Sequence, residues 1–265
     1  MGGLLLVGCG KMGGAMLDGW LARGLAATDI VVAEPVEALR PGKPGLRTVS
    51  SSAEVSQRPD IVVLAVKPQS MDEVLPDLRR FADQGAVFLS IAAGKTLTYF
   101  AGHLGAGAKM VRSMPNTPAA VRQGITVATA SPGVSAAERQ RCHDLLEAVG
   151  QVLWVEDEAL LDPVTALSGS GPAYVFLLVE AMAAAGAKLG LAPDMAMQLA
   201  RATVAGSGEL LRQSSEPAGQ LRVNVTSPGG TTAEALKVLM ASDGIQPVFD
   251  RALAAASRRS KELAG

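Results

Sequence analysis

The stretch that decides the fold is L-L-L-V-G-C-G-K-M-G, residues 4–13. Its first four residues form an apolar run that predicts a buried strand, and its last six complete a G-x-G-x-x-G pattern. A helical pattern then runs from Gly14 to Ala22, and a second predicted strand, Ile30–Ala33, ends in the acidic residue Glu34. Strand, glycine loop, helix, strand and acidic end together are the dinucleotide-binding fingerprint in its full context.

This fingerprint predicts a Rossmann-type site for a dinucleotide. The glycines allow a tight turn and bring a pyrophosphate close to the N-terminus of a helix, where the backbone N–H groups favour an anion. An acidic residue at the end of the second strand accepts hydrogen bonds from the adenosine ribose. The cofactor contacts predicted in this part of the chain are Gly8, Cys9, Gly10, Lys11, Met12, Gly13 and Glu34.

Further apolar runs continue the pattern. Strands are predicted over residues 60–66, 86–91, 109–112, 124–130 and 151–155, with a helix over residues 136–149. Ligands of open α/β sheets bind beyond the carboxyl ends of the strands. Val66, Lys67, Pro68, Ala93 and Asn116 stand at or just beyond three such ends. Lys67 is equally well explained as a solvated lysine, and Asn116, which lies between two prolines, as a fixed polar group or a turn former.

Beyond Asp157 the strand signals give way to long helical runs, so we place a domain boundary near residue 160. The predicted fold class is α/β, with a Rossmann-type parallel-sheet domain over residues 1–159 followed by an all-α dimerisation domain over residues 160–265. The run from Ala173 to Ala187 is apolar almost all the way around, and a small helical domain cannot bury such a helix alone. We therefore expect an obligate homodimer. Glu180, in the middle of this run, argues against a membrane span.

The loop N-V-T-S-P-G-G-T-T, residues 224–232, precedes another helical run. Pro228 and the two glycines give the backbone an unusual path, which aims N–H groups and hydroxyls at one point. Ser227, Thr231 and Thr232 then lie at the positive end of a helix, which suits a small carboxylate. An ordinary helix cap explains the same residues.

Composition limits the possible functions. The chain has 265 residues and a net charge of −1, so it lacks the basic footprint of a nucleic-acid-binding protein. The N-terminal residues do not form a signal-peptide pattern, and Cys9 and Cys142 lie far apart, so we expect a cytoplasmic protein without a disulfide. His103 and His143 are the only 2 histidines, and neither lies in a cluster of metal ligands, so no metal site is predicted.

Six motifs together resemble those of the pyrroline-5-carboxylate reductase family. They are V-G-C-G-K-M-G at 7–13, A-V-K-P at 65–68, S-I-A-A-G at 90–94, M-P-N-T-P at 114–118, L-S-G-S-G-P-A-Y at 167–174 and T-S-P-G-G-T-T at 226–232. They follow the family's order over nearly the whole chain. The resemblance implies the last step of proline biosynthesis, in which a hydride passes from NAD(P)H to the ring imine carbon. It also implies interlocked dimers, which often assemble into rings such as a decamer.

The resemblance also implies roles for individual residues. Its cofactor contacts match Gly8, Gly10, Lys11, Met12, Gly13, Lys67, Pro68 and Ala93, while Asn224 matches an asparagine that approaches the cofactor across the dimer. Thr232 matches the threonine beside the imine nitrogen and is the implied catalytic residue. The implied substrate contacts are Glu158, Ser227, Gly230, Thr231 and Thr232.

Three positions depart from the family pattern. Glu34 stands where many members carry a small or basic residue for a 2′-phosphate, Ser52 replaces an asparagine that approaches the adenosine, and Val223 replaces a common acidic residue. Because a carboxylate repels a 2′-phosphate, we expect NADH to be preferred over NADPH. Arg40 and Lys43 would favour NADPH if their side chains turned toward the 2′-phosphate. In a second interpretation, Glu34 faces solvent and pairs with Arg40.

Two other functions share part of the evidence. A β-hydroxyacid dehydrogenase shares the glycine-rich start, but that family places a catalytic lysine shortly after the glycines at 169–171, where this chain has Pro172-Ala173-Tyr174-Val175-Phe176. A non-catalytic NAD(H)-sensing module needs the cofactor loop but not the S-P-G-G-T-T loop. An assay with pyrroline-5-carboxylate and NAD(P)H separates all three functions.

Overall fold

A computed structural model describes residues 3–264. The chain forms two compact units. The first unit contains the residues up to Gly169 together with those from Ala256 onward, and the second is Ser170–Ala255. The boundary expected near residue 160 remains a prediction about the domains.

The first unit is built on one eight-stranded sheet. Its strands are β1 (Leu4–Val7), β2 (Ile30–Ala33), β3 (Arg47–Val49), β4 (Ile61–Leu64), β5 (Val87–Ser90), β6 (Lys109–Met114), β7 (Gly124–Ala130) and β8 (Gly150–Trp154). Their order in the sheet is β3-β2-β1-β4-β5-β6-β7-β8. The first six strands thus follow the strand order of the dinucleotide-binding fold.

All neighbouring strands run parallel except β6 and β7, which are antiparallel. In the register of the central strands, Leu4 lies opposite both Ile30 and Ile61. A parallel sheet is covered on both faces, and this explains why its central strands are continuous apolar runs rather than alternating ones.

Helices cover both faces of this sheet. They are α1 (Lys11–Ala22), α2 (Met71–Asp83), α3 (Leu97–Leu104), α4 (Ala136–Glu147) and α5 (Leu161–Val164). Leu4 and Leu6 of β1 pack in one core with α1 and α4, whereas Leu5 and Val7 pack in a second core with α2 and α3. Adjacent side chains of a strand point to opposite faces of the sheet, so alternate residues of β1 pack against different helix layers.

The second unit consists of helices. They are α6 (Gly171–Lys188), α7 (Pro193–Gln213), α8 (Ala218–Asn224), α9 (Thr231–Leu239) and the first half of α10 (Ile245–Ala264). Among its described residues, the buried apolar side chains are only Ala183, Ala196 and Ala200. Large apolar side chains stay exposed on all five helices, for example Phe176, Leu178, Leu199, Val223, Val238 and Phe249. A unit of this kind has no core of its own large enough to hold its helices together.

One helical segment, Glu158–Lys188, has the length and apolar composition of a membrane-spanning helix. The mean hydropathy of its most apolar window is 1.3, and 6% of that window is buried. A single such segment is weak evidence for a membrane, because an apolar helix that another subunit covers has the same composition.

The exposed apolar face of α6 provides a test of dimerisation. Leu178 is 45% exposed in the single chain, so Leu178→Asp would be harmless in a monomer. In a dimer that covers this face, the new charge would be buried without a partner, which costs several kcal/mol. We expect the variant to be insoluble, or monomeric and inactive. Light scattering measures its oligomeric state, and an enzyme assay measures its activity.

Leu39→Asp is the matched control, because Leu39 is 46% exposed and belongs to the first unit. It should leave the oligomeric state unchanged. A folded wild-type monomer at micromolar concentration would contradict the expectation.

Candidate functional site

The glycine loop lies at the point where the strand order reverses, between β1 and β4. The Gly8 N–H donates to the Ala33 carbonyl over 2.9 Å, and the Ala65 N–H donates to the Val7 carbonyl over 2.8 Å. Gly8 has a φ of +91°, and a Cβ atom there would lie 2.9 Å from the carbonyl carbon and oxygen of Ala65. The chain can turn here only because residue 8 lacks a side chain.

The other two glycines of the pattern have different environments. A Cβ at Gly13 would lie 2.4 Å from the Gly8 carbonyl oxygen, whereas a Cβ at Gly10 would have no described atom within 4 Å. Gly13 therefore permits α1 to pack closely against the loop. Gly10 is the N-cap of α1 and, as a glycine, has no side chain to cap that helix. The open space beside the first N–H groups of α1 fits the pyrophosphate of a dinucleotide.

Glu34 is buried, with an exposure of only 5%. Its Oε2 accepts a hydrogen bond from the Cys9 N–H over 2.7 Å, and its Oε1 accepts one from the Val36 N–H over 2.9 Å. The carboxylate thus ties the end of β2 to the glycine loop, next to the predicted ribose site. Lone pairs remain for ribose hydroxyls, because a carboxylate can accept about four hydrogen bonds.

The interpretation in which Glu34 faces solvent and pairs with Arg40 is wrong. Arg40 instead donates from Nε to the Glu34 backbone carbonyl over 2.7 Å and from Nη2 to the Pro35 carbonyl over 3.1 Å. Lys43 forms an ion pair of 2.6 Å with Asp18. Both nearby cations are therefore engaged with other groups in this structure.

Cys9 contributes its backbone N–H, rather than its thiol, to the contacts of the glycine loop. Burial raises the pKa of the Cys9 thiol, and the negative charge of Glu34 raises the pKa further. The thiol is consequently protonated and unreactive at neutral pH.

The predicted contacts after β4 and β5 lie in short connections. Lys67 is exposed and precedes the 3₁₀ helix Pro68–Ser70, while Val66 and Ala93 are half-buried. Ser52 is buried and begins the 3₁₀ helix Ser52–Glu54, where its carbonyl accepts from Arg80 over 2.8 Å.

Asn116 joins two segments of the first unit. Its Oδ1 accepts from the Ile125 N–H over 2.9 Å, and its Nδ2 donates to the Ser168 carbonyl over 3.2 Å. The alternative of a fixed polar group therefore describes what the side chain does in the fold. A role in cofactor binding stays a prediction.

The half-buried Glu158 forms an ion pair with a buried arginine, a contact that the sequence did not predict. The Arg112 guanidinium, in β6, donates to Glu158 Oε1 over 2.7 Å, and the Leu97 N–H at the start of α3 donates to the same oxygen over 2.8 Å. Arg112 is only 5% exposed. A lone arginine within the apolar strand K-M-V-R-S-M was the available signal, because a buried charge requires a partner.

The loop before α9 lies in the second unit. Gly229 has a φ of +68°, the Gly230 N–H donates to the Ser227 carbonyl over 3.0 Å, and α9 begins at Thr231. Its N-cap is Gly230, and no side chain caps the helix. The ordinary capping explanation is therefore wrong for Ser227, Thr231 and Thr232. The N–H groups of the first turn of α9 remain available to an anion.

Asn224 ends α8 in the same unit. Its Nδ2 donates to Glu216 over 2.9 Å and its Oδ1 accepts from Gln220 over 2.8 Å, and all three side chains are exposed. These surface contacts are weak enough to be exchanged for a ligand.

Known proteins are similar to this chain over nearly its full length. Residues 158–263 match the family model described as pyrroline-5-carboxylate reductase dimerisation, and residues 4–94 match the one described as NADP oxidoreductase, coenzyme F420-dependent. The pyrroline-5-carboxylate reductase of Pseudomonas aeruginosa is 41% identical over 98% of this chain and 96% of the relative.

Two solved structures support the same comparison. The pyrroline-5-carboxylate reductase of Coxiella burnetii has a TM-score of 0.94 and 35% identity, covering 100% of this chain and 99% of that one. The Plasmodium falciparum pyrroline carboxylate reductase with NADP bound has a TM-score of 0.84 and 30% identity, covering 99% of this chain and 98% of that one.

Two glycine substitutions separate the fold from the cofactor site. Gly10→Ala adds a methyl group to open space, so we expect a melting temperature close to that of the wild type and a Kd for the dinucleotide at least tenfold higher. Gly13→Ala forces α1 away from Gly8, and overpacking of this kind costs about 1–3 kcal/mol of folding free energy. Thermal unfolding and cofactor titration of both variants measure the two effects. Unchanged cofactor affinity in Gly10→Ala would show that the dinucleotide does not bind at this loop.

Proposed function

The chain belongs to the pyrroline-5-carboxylate reductase family, and from that premise we propose that it reduces 1-pyrroline-5-carboxylate to proline with NAD(P)H, the last step of proline biosynthesis. The observation that carries this proposal is the uncapped N-terminus of α9 behind the S-P-G-G-T-T loop. A β-hydroxyacid dehydrogenase or an NAD(H)-sensing module has no use for this loop. Turnover of pyrroline-5-carboxylate with NAD(P)H by the purified protein is the direct test.

The proposed reaction requires little acid–base chemistry from the protein. When bound, the dihydronicotinamide supplies the hydride that reduces the C=N bond of the substrate. The imine carbon accepts hydride more readily when the ring nitrogen is protonated or hydrogen-bonded. We assign the hydrogen bond to the Thr232 hydroxyl, and the nitrogen takes the proton that completes the amine from solvent water.

We assign binding of the substrate carboxylate to the first turn of α9. The N–H groups after Gly230 and the hydroxyls of Ser227 and Thr231 offer several donors to one anion. Glu158 is assigned to the substrate amine, with Arg112 holding one of its two oxygens. Most of the rate acceleration then comes from holding the ring carbon against the nicotinamide rather than from a strong acid.

For the cofactor we assign NADH as the preferred form, with NADPH used less well. The Glu34 carboxylate lies beside the glycine loop and would repel a 2′-phosphate, which carries a charge of about −1.5 to −2. The engagement of Arg40 with backbone carbonyls and of Lys43 with Asp18 supports the same preference. The assigned cofactor contacts are the glycine loop, Glu34, Ser52, Val66, Lys67, Pro68, Ala93 and Asn116, with Asn224 supplied by the other subunit.

We further assign a cytoplasmic location and an obligate homodimer formed through residues 160–265, with dimers assembling into a decameric ring. The exposed apolar side chains of the second unit support the dimer. Burial of such faces between subunits is typical of obligate interfaces.

The role of Thr232 is tested by removing its hydroxyl. Thr232→Ala should lower kcat about 10- to 100-fold, equivalent to about 1.4–2.7 kcal/mol of transition-state stabilisation. Thr232→Ser, which keeps the hydroxyl, is the control and should retain most of the activity. Cofactor affinity should be unchanged in both. If Thr232→Ala kept the wild-type kcat on pyrroline-5-carboxylate, the role assigned to Thr232 would be wrong.

The preference for NADH is tested by the ratio of kcat/KM for NADH and NADPH at fixed substrate and salt concentration. Glu34→Ser should shift this ratio toward NADPH, although affinity for both cofactors falls because Cys9 loses its hydrogen-bond acceptor. Glu37→Ser removes an exposed carboxylate three residues further on and is the control. A wild-type preference for NADPH, or an unchanged ratio in Glu34→Ser, would contradict the assignment.

A further inference from the structure

The connection between β5 and α3 contains Ala93, one of the assigned cofactor contacts. On its strand side, the Ala92 N–H donates to Ser90 Oγ over 3.2 Å, and Ser113 Oγ donates to the Ser90 carbonyl over 2.8 Å. At its other end, the Leu97 N–H is held by Glu158. We call residues 91–96 the β5–α3 loop.

The middle of the β5–α3 loop rests on the C-terminal part of α10. Gly94 is buried with a φ of +74°, and a Cβ atom there would lie 3.1 Å from the Leu263 carbonyl oxygen. The backbone of Leu263 therefore backs the turn directly, without space for a side chain between them. Both residues belong to the first unit.

One hydrogen bond fixes this part of α10. Ser260 is only 6% exposed, and its hydroxyl donates to Asp162 Oδ1 in α5 over 2.7 Å. The end of a helix frays easily, because its last carbonyls have no partners within the helix. A hydrogen bond to a carboxylate is stronger than one to a neutral group, which makes this contact an effective anchor.

We propose that Ser260 is a positioning residue for the cofactor. Its bond to Asp162 anchors α10 so that Leu263 supports Gly94, and the supported turn presents Ala93 to the dinucleotide. The two ends of the family's dimerisation segment, Glu158 and Leu263, thus hold the same β5–α3 loop. The inference rests on the proposed function in that Ala93 is taken to contact NAD(P)H.

The test compares two serines on one helix. Ser260→Ala removes the anchor, whereas Ser257→Ala makes the same change at a half-buried position without a described hydrogen bond. Fluorescence titration should show the Kd for NADH raised three- to tenfold in Ser260→Ala and unchanged in Ser257→Ala. The KM for pyrroline-5-carboxylate, and kcat at saturating NADH, should stay within twofold of the wild type, a separation that general destabilisation would not produce.

Two further variants make the result specific. Asp162→Ala should raise the Kd for NADH as Ser260→Ala does, and the double variant should be no worse than either single variant. Ser260→Thr restores the hydroxyl and should restore the Kd. Hydrogen exchange of the Ala92–Lys95 amides should be faster in Ser260→Ala than in Ser257→Ala.

Equal Kd values in Ser260→Ala and Ser257→Ala would overturn the inference, as would additive effects in the double variant. Because the Kd for NADH is measured without substrate, failure of the wild type to reduce pyrroline-5-carboxylate would overturn the proposed function and leave the Ser260 effect standing. A wild type that does not bind NADH would overturn both.

Discussion

The close approach of α1 to the end of β1 is the constraint on which the rest of the first unit depends. A Cβ at Gly13 would overlap the Gly8 carbonyl oxygen at 2.4 Å, so the helix reaches its place only where residue 13 has no side chain. Once α1 is there, its first N–H groups face the reversal of the strand order, and the connections after β4 and β5 end at the same edge. The cofactor site is therefore a consequence of backbone packing before any side chain contributes.

Charged side chains at this edge are used to hold the backbone. Glu34 accepts from two backbone N–H groups, and Glu158 accepts from Arg112 and from the start of α3. Glu34 is buried and Glu158 is half-buried, and each carboxylate lies next to donors that satisfy it, as a charge removed from water requires. Glu34 lies beside the glycine loop, so the charge that ties this loop to β2 also contributes to the electrostatic potential at this edge of the sheet.

Much of the architecture was predictable because it follows from apolar runs. The bounds predicted for β1, β2 and β7 agree with the structure, since glycines and an acidic residue mark their ends. The strand β3 was missed because it is a three-residue edge strand, α2 because Pro76 interrupts its pattern, and α8 because it is short. The hydrogen-bond partners of side chains could not be predicted from the sequence, because they are residues far apart along the chain. Asn116 reaches Ser168, 52 residues away, and Arg112 reaches Glu158, 46 residues away.

The order of the elements along the chain has a consequence for synthesis on the ribosome. Every strand of the sheet ends by Trp154, so the sheet can form while the helices that follow are still being made. At about 5–20 residues per second, the remainder takes on the order of ten seconds. The apolar helices of the second unit emerge after the sheet, and residues 256–264, which belong to the first unit, emerge after those helices. A nascent chain thus carries a formed sheet with an unfinished β5–α3 loop until residues 256–264 have been made, and its apolar helices remain exposed to aggregation until a second copy covers them.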